Sequence, residues 1–109
     1  MKKIYNKLVR DHIPEIIRQD KAEPKIRILE PAEYLSELFK KLEEEIKEAV
    51  MAKDDKQELM KELGDVYEVI EAIMGYYEID KVEVMKLKDE RKIKRGGFKK
   101  RIFLESVDK

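Results

Sequence analysis

A chain of 109 residues carries one domain's worth of sequence, enough for a single small core. Its 25 Lys and Arg balance its 25 Asp and Glu, so no net field of either sign selects nucleic acid or a membrane surface. The absence of cysteine excludes disulfide frameworks, thiolate zinc sites and thiol nucleophiles, and no apolar run reaches the length of a membrane span.

Charge is nonetheless dense, at 46% of residues, the Lys/Glu-rich composition that suits heat-adapted proteins built on ion-pair networks. The opening "MKKIYNKLVRDH" is basic but lacks an apolar signal core, which sets a cytoplasmic location as the expectation.

In chain order, Pro14 suits the first turn of a helix, where its missing N–H costs nothing, so "PEIIRQ" predicts a short helix. "PKIRILE" alternates, with Ile26 and Ile28 on one side and Lys25, Arg27 and Leu29 on the other, and predicts a strand. Pro31 opens a second helix running to about Ala52, with Leu35, Leu38, Phe39, Leu42, Ile46 and Ala49 as its apolar stripe. "AKDDKQ" interrupts the pattern. Asp55 followed three residues later by Glu58 has the form of a helix cap with its reciprocal acidic partner. The third helix then extends to about Glu78 on a stripe of Leu59, Leu63, Val66, Ile70, Ile73 and Tyr77. Asp80 and Glu83 repeat the cap for a fourth helix carrying Val82, Val84, Met85 and Leu87, which decays into a basic run after Asp89. Gly96-Gly97 stops it, and "KKRIFLESV" predicts a second strand able to pair with "KIRILE". The expected fold is one mainly all-α domain over residues 1–109, with a short two-stranded element from residues near 25–30 and 99–107.

Glu62 and Asp65 intrude on this pattern. At roughly 100° per residue they project side by side on one flank of the third helix's stripe, a flank shared with Val69 and Ala72. The second helix repeats the feature, with Glu45 and Glu48 beside Leu42, Ala49 and Ala52. If the two helices fold back as a hairpin, Glu48 and Glu62 are each seven residues from Asp55, and Glu45 and Asp65 each ten. At about 1.5 Å rise per residue the four carboxylates then lie at matching heights. Such a cluster repels itself and loses hydration unless a cation compensates. Oxygen ligands of this kind suit Mg²⁺ or Mn²⁺. Acidic pairs three apart also arise as solvated faces paired with Lys one turn away, the reading that fits Glu43 and Glu44 on spacing alone. Gly64, costly inside a helix by about 1 kcal/mol relative to Ala, points to close approach of a helix or ligand.

"EEIKE" (Glu44 to Glu48) followed after a loop by "ELGD" (Glu62 to Asp65) resembles the EExxE…ExxD signature of the all-α nucleoside triphosphate pyrophosphohydrolases, the MazG-like superfamily. "YNKLVRDHIPEII" and "RGGFKKRIFLESV" resemble a small house-cleaning branch of it, often labelled phosphoribosyl-ATP pyrophosphohydrolase-like, so the resemblance covers nearly the whole chain. It implies a MazG-like helical bundle with Glu45, Glu48, Glu62 and Asp65 as magnesium ligands and Glu44 as a catalytic residue positioning water or a second metal. The implied reaction is hydrolysis between the α- and β-phosphates of a nucleoside triphosphate, giving a monophosphate and pyrophosphate. A homodimer or larger assembly is implied as well.

Lys7, Arg10, Arg95 and Lys99 flank the terminal motifs and supply the donors a triphosphate needs, while Gly96-Gly97 would let backbone N–H groups approach a phosphate. Tyr5 and Phe98 suit a core or edge-strand place better than base stacking. His12 reads as a surface or capping residue, and Asp11 either caps the first helix or orders Arg10. Two further functions fit the residues. One is hydrolysis of phosphoribosyl-ATP in histidine biosynthesis, against which the terminal motifs weigh. The other is a non-catalytic module docking "RKIKRGGFKKR" on nucleic acid, against which the neutral net charge weighs.

Overall fold

Apolar residues at helical spacing on either side of Asp55 build two helices of equal length. The computed structural model describes residues 2–109, and its elements are all helical. Helix α1 spans Ile13–Gln19, α2 Pro31–Met51, α3 Lys56–Tyr76 and α4 Lys81–Arg95. They fall into two compact units, Met1–Tyr77 and Glu78–Lys109. Among the described residues no helix is long and apolar enough to cross a membrane.

In the first unit, Pro14 sits in the first turn of α1, with Glu15 there and Arg18 in the last turn complementing the helix dipole. His12 is exposed at the N-cap and makes no side-chain cap bond. The cap position is therefore not Asp11. Pro31 opens α2, and Arg27 donates from both Nη atoms to the two Glu33 oxygens at 3.0 and 2.7 Å. That fork ties the segment before α2 to the helix's first turn. It holds the Glu33 carboxyl below its ordinary value, chiefly through the hydrogen bond.

Residues Ala52–Asp55 reverse the chain between α2 and α3. The Asp55 carboxylate accepts from the Glu58 N–H at 3.2 Å, as a cap should. Asp55's own N–H donates to the Ala52 carbonyl at 3.0 Å, which occupies the donor that a reciprocal Glu58 bond would need. From this turn α2 and α3 pack against each other, with Leu38 and Val69 buried between them. Tyr34 and Tyr76, equidistant from Asp55, meet at the far end with ring centroids 6.2 Å apart. The pairing register predicted for the carboxylates thus holds along the hairpin. Leu35, Leu42, Ala49, Leu59, Val66, Ile70 and Ile73 are half-buried, whereas Phe39, Ile46, Leu63 and Tyr77 of the predicted stripes are exposed.

Helix α3 ends at Tyr76 rather than near Glu78, because Glu78 turns left-handed at φ 56° just beyond the Tyr77 cap. In the second unit Asp80 caps α4 by accepting from the Val82 N–H at 2.9 Å. Helix α4 does not decay after Asp89 but continues to Arg95, since Lys92, Lys94 and Arg95 fall in its last turn, where the dipole favours cations. Gly96 ends it at φ 86°, ψ 175°, a conformation open essentially to glycine alone.

The expected two-stranded element is absent: residues 25–30 and 99–107 form no ladder. A lone pair of strands is marginal in water, and Arg27 is committed to α2. Ile28, Ile102 and Phe103 are exposed accordingly. Close approach does not explain Gly64 either, since a Cβ built there meets nothing within 4 Å.

Leu38→Ala is expected to cost about 3 kcal/mol and Asp55→Ala about 1 kcal/mol, read from urea unfolding. Equal, small losses for both variants would show that the α2–α3 core is not where the stability resides.

Candidate metal centre

The hairpin register brings Glu45 of α2 level with Asp65 of α3, and Glu62 lies one turn back along α3 on the same side. One carboxylate oxygen from each of the three lies within 4.8 Å of the other two, and all three residues are half-buried. Neighbouring oxygens around an octahedral Mg²⁺ stand about 3.0 Å apart, and of three ligands at most one pair can be opposed, at about 4.2 Å. The trio would draw in by up to about 2 Å to share one such ion.

The electrostatics point the same way. Burial raises the Glu62 carboxyl above its ordinary value, and the charges of Asp65, Glu45 and Glu48 raise it further against the opposing pull of Lys61. Among the described residues Glu62 has no ion-pair partner. A half-buried, all-oxygen donor set with excess negative charge fits a hard divalent cation and offers nothing to a soft one.

The chain's own cations ring this trio without neutralising it. Arg10 Nη2 donates to Asp65 at 2.8 Å and its Nη1 lies 3.9 Å from Glu68. Lys7 reaches Glu44 at 3.4 Å, and the Lys41 ammonium stands 3.5 Å from both Glu44 and Glu45. The two N-terminal cations predicted to meet phosphate are therefore already beside the predicted acids. Tyr5 is engaged with the same segment, its ring 5.0 Å from the Lys3 ammonium and 5.8 Å from that of Lys7.

Two predicted acids stand apart from the trio. Glu48 is exposed and shares a hollow at the turn with Glu62, Asp55 and Glu58. Glu44 is half-buried and paired with Lys7 and Lys41. Arg95, Gly96, Gly97 and Lys99 belong to the second unit and are exposed. There the Gly96 N–H is already donated to the Lys92 carbonyl at 2.7 Å. A Cβ on Gly97 would meet the Lys92 side chain at 3.6 Å. Lys41 escaped the sequence reading, although its position three and four residues before Glu44 and Glu45 is a legible helical ion-pair spacing.

No protein-family model, curated protein or solved structure matches the chain.

Because its proton affinity is raised on folding, Glu62 stabilises the fold when protonated. That contribution is complete below the ordinary carboxyl value and is lost as pH rises through the raised one. Without divalent cations, Glu62→Gln is therefore expected to melt higher than wild type at neutral pH, with the difference vanishing in acid. Added Mg²⁺ should raise the melting temperature of wild type more than that of the variant. A variant no more stable than wild type at neutral pH would show that the trio carries no unrelieved repulsion.

Proposed function

We propose that this chain is a Mg²⁺-dependent nucleoside triphosphate pyrophosphohydrolase, cleaving between the α- and β-phosphates, with noncanonical nucleotides as the class it clears. The observation that carries the proposal is the trio Glu45, Glu62 and Asp65. Two helices locked in register deliver three half-buried carboxylates to one spot, where Arg10 and Lys41 meet the charge of Asp65 and Glu45 and nothing meets that of Glu62. The resemblance of the EExxE and ExxD motifs to the all-α pyrophosphohydrolases adds the reaction class to that geometry.

In this reading Glu45, Glu62 and Asp65 hold the ion, with Mn²⁺ as a substitute, and Glu48 adds negative charge beside Glu62. The bound cation would polarise the phosphoryl oxygens and neutralise the departing pyrophosphate. Glu44 lies beside the trio with its carboxylate between Lys7 and Lys41, and orders the attacking water. Lys7 and Arg10 exchange carboxylate partners for phosphate oxygens when the nucleotide arrives. Water adds at the α-phosphorus, the bridging P–O bond breaks, and the electron pair leaves with pyrophosphate.

A homodimer or larger assembly belongs to the same proposal. Phe39, Ile46 and Val50 on α2, and Met60, Leu63 and Tyr67 on α3, form exposed apolar rows at helical spacing. Contiguous apolar rows of this kind mark surfaces that a partner covers. A cytoplasmic location, where nucleotides and Mg²⁺ abound, completes it.

The test is pyrophosphate release from a panel of standard and damaged nucleoside triphosphates, with Mg²⁺ and with EDTA. Turnover is expected only with Mg²⁺, and Asp65→Asn should lower it by at least about a hundredfold, the scale of losing a charge-stabilising group. Absence of turnover on every nucleotide, together with absence of a Mg²⁺ effect on melting, would sink the reading.

A further inference from the structure

The charge balance of the whole chain conceals a division between its two units. Met1–Tyr77 holds 14 Lys and Arg against 18 Asp and Glu, whereas Glu78–Lys109 holds 11 against seven. The excess in the second unit is concentrated in one stretch. From Arg91 to Leu104 the chain consists of seven cations, five large apolar residues and Gly96-Gly97, with no acid and no uncharged polar side chain. Among the described residues of this unit the single ion pair joins Lys88 to Asp89 at 3.3 Å, so none of the seven cations is paired within it.

Local structure displays these residues together. Lys92, Lys94 and Arg95 fall in the last turn of α4, where the dipole favours them, and Ile93 between them is 88% exposed. Beyond Gly96 the Arg101 N–H donates to the Phe98 carbonyl at 3.1 Å, closing a turn with Lys99 and Lys100 at its tip. Phe98 enters that turn 96% exposed, and Ile102 and Phe103 leave it at 82% and 86%. Large apolar side chains grouped in the open in this way mark a surface that something covers.

The cations suit any polyanion, so the apolar residues decide which one. A nucleic-acid strand offers phosphates to Lys and Arg and a base face to Phe98, but nothing to Ile93, Ile102 or Leu104. The amide and hydroxyl side chains that read base edges are missing from the stretch as well. A bilayer with anionic headgroups uses both classes at once. Its headgroups attract the Lys and Arg side chains, and its acyl boundary accepts aromatic and aliphatic ones.

We infer that residues 91–104 dock the chain on the surface of an anionic membrane. Cations draw the segment to the headgroups, and Phe98, Ile102, Phe103 and Leu104 enter the boundary beneath them. Two such signals acting together give firm peripheral binding where one alone is marginal. The carboxylate trio takes no part, so the inference stands apart from the pyrophosphohydrolase reading.

The test is co-sedimentation of the full chain with vesicles of equimolar phosphatidylcholine and phosphatidylserine, against vesicles of phosphatidylcholine alone. Binding is expected on the first and not on the second, and should weaken as salt is added. Lys99→Gln with Lys100→Gln should weaken it at least about tenfold, whereas Lys53→Gln with Lys56→Gln, an equal charge change at the α2–α3 turn, should leave it unchanged. Phe98→Ser with Phe103→Ser should also weaken it at least about tenfold, with the charge untouched. All these side chains are exposed, and an unchanged melting temperature would confirm that each variant folds. The chain has no tryptophan, so Phe103→Trp supplies a lone indole whose emission should shift to the blue on the mixed vesicles. Equal losses in the two lysine pairs would overturn the inference, because the attraction would then belong to charge anywhere on the chain. Absence of binding to the mixed vesicles would overturn it too. Binding of a polyuridine oligomer, with vesicle affinity undiminished in the phenylalanine pair, would assign the surface to nucleic acid instead.

Discussion

The register of the α2–α3 hairpin is the constraint on which the site depends. A four-residue reversal fixed by the Asp55 cap leaves no slack between two helices of 21 residues each. Whatever sits at equal distance from the turn is thereby placed at equal height. Tyr34 meets Tyr76 by this rule, and Glu45 comes level with Asp65 by the same rule. A one-residue slip would rotate the facing side chains by about 100° and scatter the carboxylates around the helix surfaces.

Much of this was legible because it follows from periodicity. The four helices, the proline starts, the Asp55 and Asp80 caps and the hairpin register are consequences of spacing and of which backbone donors lack partners at a helix start. What escaped depended on choices that spacing does not fix. "KIRILE" and "KKRIFLESV" have strand-like alternation, but alternation only says that a segment can pair, and Arg27 was drawn to Glu33 instead. The basic run after Asp89 looked like the end of order, whereas the dipole of α4 makes the same cations good last-turn residues. Of the four acids, three converge and Glu48 remains outside, because a shared height does not settle which carboxylate leans inward. Lys41 was hidden in the commonest helical pairing of all, and only the folded N-terminal segment, bringing Lys7 to the same glutamate, marks it out.

The first unit buries little outright. Leu38 and Val69 alone are buried among its described residues, while large apolar side chains stand exposed along both long helices. A hairpin of this kind gains too little from its own seam to account for its rows of Phe, Ile, Met and Tyr. The proposed assembly would cover them, and it would also lower the effective dielectric around the half-buried trio. Charge on Glu62 would then cost more without a cation, and a cation bound there would be held more firmly. Covering the apolar rows and holding the metal are in this sense one physical problem.

Helix polarity sharpens the point. Glu58 and Glu62 sit near the N-terminal, positive end of α3, where acids are favoured, but Glu45 and Glu48 sit toward the C-terminal, negative end of α2. No basic residue occupies the last turn of α2 to offset them. The chain has lysine in abundance and spends Lys40 and Lys41 on the turn before the acids instead. Selection for stability alone would place lysine or leucine where Glu45 and Glu62 stand. The dipole rule is kept on α3 and broken on α2 at the height where the two helices meet. That pattern is what a site that must accept a cation from outside would impose on its scaffold.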